Sequence, residues 1–186
     1  MNRAVFLDKD GVINEDTGFV CRLEDFHLIS GVEPALQKLS VTNFKVIIVS
    51  NASVVGRGMC TEREFMVFRD AYLSYLKDKG IRIDGAYHCF HHPVHGIGTY
   101  KIDCECRKPN PGMLASGIEQ FNIDAAESYT VGDRRSDIAA GNAVGCRTIL
   151  VETGWGGKGG TGCKVNPDFV VKDLSAAIEL ILAGHT

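Results

Sequence analysis

The chain has 186 residues, a formal net charge of −3 and 45% hydrophobic residues. This length suits one domain that buries roughly 70% of its unfolded surface, and the mild, scattered charge argues against nucleic acid or an anionic membrane as the main partner. The N-terminus lacks the apolar stretch of a signal peptide, and no apolar run is long enough to cross a bilayer. We therefore expect a single cytoplasmic domain over residues 1–186.

Short apolar runs alternate with longer periodic stretches along the chain. This pattern is typical of β-α units around a mainly parallel sheet. Strands are predicted over residues 4–7, 45–49, 85–89, 129–131, 148–151 and 169–171. Helices are predicted over residues 32–39, 61–78, 136–144 and 174–182, with a further helix that begins at residue 110. The order predicts a three-layer, Rossmann-like, doubly wound α/β fold.

Two helix starts and one loop have clear local signals. Thr61 and Glu64 have the spacing of a capping box, and Asn110 is the expected N-cap of the third helix because asparagine side chains accept hydrogen bonds from the first turn. The glycine-rich run over residues 154–162 is predicted to be a flexible loop. Such a run is also consistent with a simple linker.

The first predicted strand ends in two carboxylates and a glycine, Asp8-x-Asp10-Gly11. In an extended backbone, residues i and i+2 project to the same side, so Asp8 and Asp10 are expected to converge. Two close carboxylates favour a cation between them, and Mg²⁺ prefers oxygen ligands. An isolated pair of this kind is more often a solvated turn. The polar residues that follow the other predicted strands favour a metal site here.

Polar residues also follow the other strands. Ser50 and Asn51 follow the second strand, Asp133 follows the fourth, and Lys108 opens the loop before the third helix. Each has an ordinary explanation as a turn residue, helix cap or solvated cation. In doubly wound sheets, however, ligands bind beyond the carboxyl ends of the strands. Together with Asp8 and Asp10, the set therefore predicts one site with a nucleophile, a proton donor, a hydroxyl, a cation and a metal-binding acid.

A second group of polar residues has the spacing of a zinc site within residues 89–106. The predicted ligands form two close pairs: Cys89 with His91, and Cys104 with Cys106. Four such ligands make a closed tetrahedral site, so the zinc is expected to be structural. His92 and His95 are alternatives to His91 as the fourth ligand. The simpler interpretation is that the four residues bind no metal.

The cysteine count of seven is odd, which indicates metal binding rather than a disulfide framework. The cysteines outside the predicted zinc site are expected to be core or neutral fillers: Cys21, Cys60, Cys146 and Cys163. Because Cys106 directly precedes Arg107 and Lys108, zinc would fix the direction of both cations. We expect metal loss to weaken substrate capture.

The motifs in this order resemble those of the haloacid dehalogenase-like phosphohydrolases. The matching residues are Asp8-x-Asp10, Ser50, Lys108 and Gly132-Asp133-x-x-x-Asp137. The resemblance implies that Asp8 is the nucleophile and that Asp10 protonates the leaving alcohol and then activates water. It also implies a Mg²⁺ site made by Asp8, Asp133 and the backbone carbonyl of Asp10. Arg134 and Asp137 are expected to support this site.

The same resemblance assigns the substrate-binding residues. Ser50 and Lys108 are expected to hold the phosphoryl oxygens, with Asn51 beside them. Arg107 is the expected grip for a second phosphate, because guanidinium groups bind phosphate in a bidentate way. Two weaker candidates, for which a solvated loop cation is the alternative, are Arg57 and Lys158.

Within this superfamily the chain resembles the heptose bisphosphate phosphatases. The resemblance is carried by residues 8–14, 18–20, 89–93 and 104–113. It implies removal of the 7-phosphate of a manno-heptose 1,7-bisphosphate in the synthesis of nucleotide-activated heptose. Ala52 and Arg134 depart from the glutamine and lysine usual in that family, which affects substrate contacts, and Ser50 replaces a threonine and keeps the hydroxyl.

The spacing of the motifs also bears on access to the site. No lid domain fits between the motifs, so a capless monomer is expected whose access is controlled by residues 16–22, 54–59 and 89–107. Histidinol-phosphate phosphatase is the nearest alternative, since those enzymes share the zinc loop. A phosphotransferase and a zinc-stabilised binding module without catalysis are the others.

Overall fold

The computed structural model describes residues 1–158 and 165–184. Its strands are Ala4–Leu7 (β1), Lys45–Ser50 (β2), Gly85–His88 (β3), Tyr129–Gly132 (β4), Arg147–Val151 (β5) and Phe169–Val171 (β6). Its helices are Val32–Ser40 (α1), Ser53–Gly56 (α2), Glu62–Asp78 (α3), Gly112–Phe121 (α4), Arg135–Val144 (α5) and Leu174–Ala183 (α6). The predicted strands and helices are thus confirmed to within two residues at their described ends, while the short α2 was not predicted.

The strands form one sheet in the order β3-β2-β1-β4-β5-β6, and all the pairings are parallel. The chain winds outward from β1 in one direction and then from β4 in the other. The point of reversal lies between β1 and β4, which is where doubly wound folds bind ligands. The predicted fold class is confirmed.

Alternating side chains of β1 divide the core into two layers. Val5 and Leu7 belong to the larger cluster, which includes side chains of α1, α3 and α6. Ala4 and Phe6 belong to the second cluster, which includes side chains of α4 and α5. Because both faces of β1 are covered, its sequence is a continuous apolar run.

The two predicted caps have different outcomes. The capping box is confirmed, since Thr61 Oγ1 accepts from Glu64 N at 3.2 Å and Thr61 N donates to Glu64 Oε2 at 2.7 Å. The Asn110 cap is wrong: α4 follows Pro111, without a side-chain cap. The Asn110 amide instead donates to Cys104 O at 2.9 Å, so it ties the helix start to the predicted zinc loop, residues 89–106.

Cys146 is buried in the second cluster of the core. Cys21 and Cys60 are partly buried and pack against the larger cluster. Cys163 lies outside the described residues, as does the 159–162 part of the glycine-rich run. None of the helices in the described ranges has both the length and the apolar composition of a membrane span.

Candidate active site

The reversal of the sheet brings Asp8 and Asp133 together. Leu7 is in register with Val131 of the neighbouring strand, and Asp8 N donates to Val131 O at 3.0 Å. The residues that follow β1 and β4 therefore leave the sheet side by side. A cleft of about 640 Å³ opens nearby, and Asp8 lines it.

Lys108 is buried beside Asp8. Its Nζ lies 2.9 Å from Asp8 Oδ1 and 2.6 Å from Asp137 Oδ1, and it donates to Val49 O at 2.7 Å. Burial alone lowers the pKa of Lys108, but the carboxylates of Asp137 and Asp8 outweigh it and raise the pKa above its ordinary value. The ammonium therefore remains charged at the base of the cleft.

Three carboxylates form a compact group there. Oxygens of Asp8, Asp133 and Asp137 lie within 4.8 Å of one another. Burial raises the pKa of Asp8, an effect that Lys108 opposes. Burial, together with the other two carboxylates, raises the pKa of Asp133 to about 8. Asp133 Oδ1 is buried and has no hydrogen-bond partner among the described residues. These are the properties of a site for a hard cation.

The first part of the glycine-rich run packs on Asp133. Trp155 N donates to Asp133 Oδ2 at 2.8 Å, and Gly157 N donates to Asp133 O at 2.7 Å. A Cβ atom at Gly11 or Gly154 would overlap the Asp133 carboxylate, and both glycines have a positive φ. Sequence reasoning gave this run little weight. The signal that could have revealed it is the sequence Thr-Gly-Trp-Gly-Gly over residues 153–157, which begins two residues after the end of β5.

Asp10 has a different set of partners. Because β1 ends at Leu7 and the chain turns at Gly11, the alternation of a strand does not set its direction. Asp10 Oδ1 lies 2.5 Å from Lys9 Nζ and accepts from Asn14 Nδ2 at 2.9 Å. Its side chain is partly exposed and lines the same cleft as Asp8.

The predicted substrate-binding residues also border the cleft. Ser50, buried at the end of β2, lines it. Asn51 also lines the cleft. Its Nδ2 donates to Lys108 O at 2.9 Å, and its Oδ1 accepts from Lys108 N at 3.0 Å. Arg107 is partly buried and donates to His91 O at 2.9 Å, which joins it to the predicted zinc loop. Ser50, Asn51 and Arg107 therefore border the same cleft as Asp8 and Lys108.

The four predicted zinc ligands converge on one point. Their ligand atoms, from Cys89, His91, Cys104 and Cys106, lie within 4.8 Å of one another. The sulfur atoms are separated by 3.0 to 3.5 Å. Burial and the neighbouring sulfur atoms raise the pKa of Cys89, so thiolates here need a cation. Three sulfurs and one imidazole nitrogen suit zinc.

The alternative histidines have other roles. His92 Nδ1 accepts from Val94 N at 3.2 Å and from His95 N at 3.1 Å, which closes a turn. Burial and the nearby Arg107 lower the pKa of His92 to about 4, so this ring is neutral in the cleft. The histidine whose ligand atom lies within 4.8 Å of the three sulfur atoms is His91.

Three guanidinium groups line the cleft, from Arg57, Arg107 and Arg134. The Arg57 guanidinium lies 5.2 Å from the Phe19 ring. Lys158 is exposed and is not among the described residues that line the cleft. Three cations that line one cleft suit a ligand with more than one anionic group.

A bridge that sequence reasoning missed closes one side of the cleft. Asp16 Oδ2 accepts from Arg134 Nη2 at 3.0 Å and from Trp155 Nε1 at 2.8 Å. The Arg134 guanidinium also stacks on Trp155, 4.5 Å from the ring centroid. These contacts join the loop after β1 to the loop after β5. Their sequence separation of more than 100 residues leaves no local signal.

Comparison with known proteins adds independent information to this geometry. Residues 105–177 match the HAD-hydrolase-like family model. The D-glycero-beta-D-manno-heptose-1,7-bisphosphate 7-phosphatase of Vibrio cholerae is 45% identical over 152 residues, which cover 81% of this chain and 82% of the relative. The chain belongs to the heptose bisphosphate phosphatase family of HAD-like hydrolases.

Two further members support the assignment. The D-glycero-alpha-D-manno-heptose-1,7-bisphosphate 7-phosphatase of Burkholderia mallei is 41% identical over 150 residues, or 81% of this chain and 79% of the relative. The D,D-heptose 1,7-bisphosphate phosphatase of B. bronchiseptica, solved with magnesium and phosphate, superposes with a TM-score of 0.84 at 29% identity. That likeness covers 98% of this chain and 99% of the other. The predicted family is confirmed, and its members are phosphatases.

Proposed function

We propose that this chain is a Mg²⁺-dependent phosphatase that removes the 7-phosphate of D-glycero-D-manno-heptose 1,7-bisphosphate through an aspartyl phosphate on Asp8. The observation that carries the proposal is the contact of the buried Lys108 ammonium with Asp8 Oδ1 at 2.9 Å, beside the carboxylates of Asp133 and Asp137. Phosphoryl transfer depends mainly on positioning and charge neutralisation. The names of the relatives supply the heptose bisphosphate.

The proposed Mg²⁺ ligands are Asp8, Asp133 and the backbone carbonyl of Asp10. The buried Asp133 Oδ1, which has no hydrogen-bond partner among the described residues, supports this choice because a cation would satisfy it. When bound, Mg²⁺ neutralises charge on the phosphoryl oxygens and the carboxylates. Asp137 supports the site through its contact with Lys108 and by accepting from Arg134 N at 2.9 Å.

Two steps follow from these positions. An Asp8 oxygen bonds to phosphorus as the bond to the sugar oxygen breaks, and Asp10 gives its proton to that oxygen. Water then attacks the phosphorus and gives its proton to Asp10 as the bond to Asp8 breaks. Lys108 and Ser50 hold the phosphoryl oxygens in both steps, where fixed positive charge and hydrogen bonds stabilise the transition state.

The second phosphate of the substrate is proposed to bind Arg107. Its half-buried guanidinium lines the cleft, and its contact with His91 O fixes its direction. Zinc on the four ligands of residues 89–106 is proposed to hold this loop, so its role is structural. The remaining predictions, a single domain and a cytoplasmic monomer, belong to the same proposal.

Phosphate release from a substrate panel tests the proposal. The panel contains both anomers of the heptose bisphosphate, the matching monophosphates and histidinol phosphate, each with and without Mg²⁺. We expect the highest kcat/KM for one heptose bisphosphate, dependence on Mg²⁺, and no turnover in Asp8→Asn. Preference for histidinol phosphate would overturn the substrate, and an active Asp8→Asn variant would overturn the mechanism.

A further inference from the structure

Lys9, the residue between the aspartates of the Asp8-x-Asp10 pair, is buried. It is 1% exposed and is among the largest fully buried side chains in the described residues. A lysine ammonium is costly to remove from water, and buried lysines are normally paired. The surroundings of the ammonium therefore bear on why a lysine occupies this position.

Three aromatic rings surround the ammonium. Its Nζ lies 5.7 Å from the ring centroid of Phe26, 5.5 Å from that of Phe68 and 6.0 Å from that of Tyr72. We call these three residues the aromatic cage. Tyr72 is itself fixed, since its hydroxyl lies 2.8 Å from His88 Nε2. The cage attracts the cation through the ring faces and sets its position without neutralising it.

The carboxylate partner of the ammonium is Asp10. Lys9 Nζ lies 2.5 Å from Asp10 Oδ1, and the fully buried Asn14 donates to the same oxygen at 2.9 Å. Both hydrogen bonds that the described side chains give to this carboxylate therefore end on Oδ1. Two donors on one oxygen fix the plane of the carboxyl group and leave Oδ2 for other partners.

We propose that Lys9 is a positioning residue for Asp10, an inference that rests on the proposed acid–base role of that residue. Lys9 and Asn14 hold Oδ1, so Oδ2 carries the proton that passes to the substrate. As the bond from Asp8 to phosphorus forms and the bond to the leaving oxygen breaks, this proton moves to the leaving oxygen. In the second step, water returns a proton to Oδ2 as the bond between phosphorus and Asp8 breaks.

A purely structural ion pair predicts a different behaviour. Apolar residues of similar volume often replace a buried ion pair without loss of stability, so the pair by itself is weak support for a stabilising role. If Lys9 only stabilised the fold, its loss would reduce turnover of all substrates by the same factor. If Lys9 positions Asp10, its loss should reduce turnover mainly of those substrates whose leaving group needs a proton.

The experiment compares kcat/KM on two substrates that differ in this need. A sugar phosphate leaves as an alcohol and needs the proton, whereas p-nitrophenyl phosphate leaves as a stable phenolate. Since general acids contribute about 10²- to 10⁴-fold, we expect Lys9→Met to lose roughly tenfold to hundredfold more on the sugar phosphate. Lys9→Arg should restore most of the difference. Lys79→Met, which removes a peripheral ion pair with Glu33, should leave the ratio unchanged.

The outcomes separate this inference from the proposed function. Asp10→Ala must show the selective loss at full size, and an equal loss on both substrates would overturn the acid role and the inference with it. Selective loss in Asp10→Ala without selective loss in Lys9→Met would overturn only the role of Lys9. If Lys9→Met does not fold, Asn14→Ala removes the other donor to Oδ1, and an equal loss there overturns the inference.

Discussion

The side-chain amide of Asn51 holds both backbone polar groups of Lys108. Its Nδ2 donates to Lys108 O at 2.9 Å, and its Oδ1 accepts from Lys108 N at 3.0 Å. The cation that contacts Asp8 is therefore anchored at its backbone by the residue that follows β2. This anchor gives Asn51 a role in placing the cation.

Replacing Asn51 by Ala should lower kcat/KM while the protein stays folded. Two hydrogen bonds of about 1 kcal/mol each are lost, which corresponds to roughly tenfold or more in rate if Lys108 shifts. Steady-state kinetics and thermal unfolding would measure the effect. Asn142→Ala, an asparagine of α5 outside the cleft, is the control. An unchanged kcat/KM in folded Asn51→Ala contradicts the prediction.

Replacing Gly11 by Ala should damage the proposed Mg²⁺ site. Gly11 has a φ of 86°, and a Cβ there would overlap the Asp133 carboxylate. Gly80 is a matched control, because its φ is 75° and no atom lies within 4 Å of the added Cβ. Both variants should lose about 1 kcal/mol or more of stability from the left-handed backbone. Only Gly11→Ala should also need more Mg²⁺ for activity, which a Mg²⁺ titration would test.

Replacing Cys104 by Ser should remove zinc and raise KM. The predicted zinc loop ends directly before Arg107, whose guanidinium donates to His91 O. Loss of one zinc ligand should therefore free the Arg107 guanidinium from its fixed direction. Metal analysis and kinetics on the preferred substrate would measure both effects. Cys21→Ser changes a cysteine outside the zinc group and should alter neither. An unchanged KM in a folded, zinc-free Cys104→Ser would refute the link.

Replacing Arg107 by Ala should reduce the preference for a bisphosphate over a monophosphate. A hydrogen bond to a charged group is worth about 1.5–3 kcal/mol, so we expect the ratio of kcat/KM values to fall by roughly tenfold to hundredfold. Arg63→Ala, an exposed residue of α3, is the control. If the preference survives in Arg107→Ala, another cation of the cleft binds the second phosphate.

The stability of the metal-free protein should fall as the pH rises. Burial and the carboxylates of Asp8 and Asp137 raise the pKa of Asp133 from 3.8 to about 8. The folded protein then holds a proton that the unfolded chain has released within this range, so stability is lost as the pH increases through it. Mg²⁺ competes with that proton, and its effect on Tm should therefore be larger at about pH 8 than at about pH 5.

Thermal unfolding across this pH range, with and without Mg²⁺, would test the linkage. Asp133→Asn removes the titrating group while it keeps the shape of the side chain. Its metal-free Tm should vary less with pH than that of the parent. A gain from Mg²⁺ that is equal at both pH values would contradict the prediction.

Local patterns predicted most of the fold. The apolar runs of β1 and β2 predicted central strands because a strand covered on both faces is apolar throughout, whereas the edge strands β3 and β6 are partly exposed. The Asn110 cap failed because its amide binds Cys104 O instead, a contact that helix-capping preferences do not contain. The spacing of the two pairs already favoured His91 over His92 and His95, and the structure places a ligand atom of His91 within 4.8 Å of the three sulfur atoms.

The sequence by itself determined the fold class, the family and the types of residue at the site, because these depend on periodicity, spacing and local motifs. Only the tertiary structure decided how the site is assembled. Lys108 meets Asp8 across 100 positions of sequence, and Asp16 joins Arg134 and Trp155 across more than 100. Such contacts arise from the parallel order of the strands and the packing of loops at the reversal of the sheet, and neither leaves a trace in neighbouring residues.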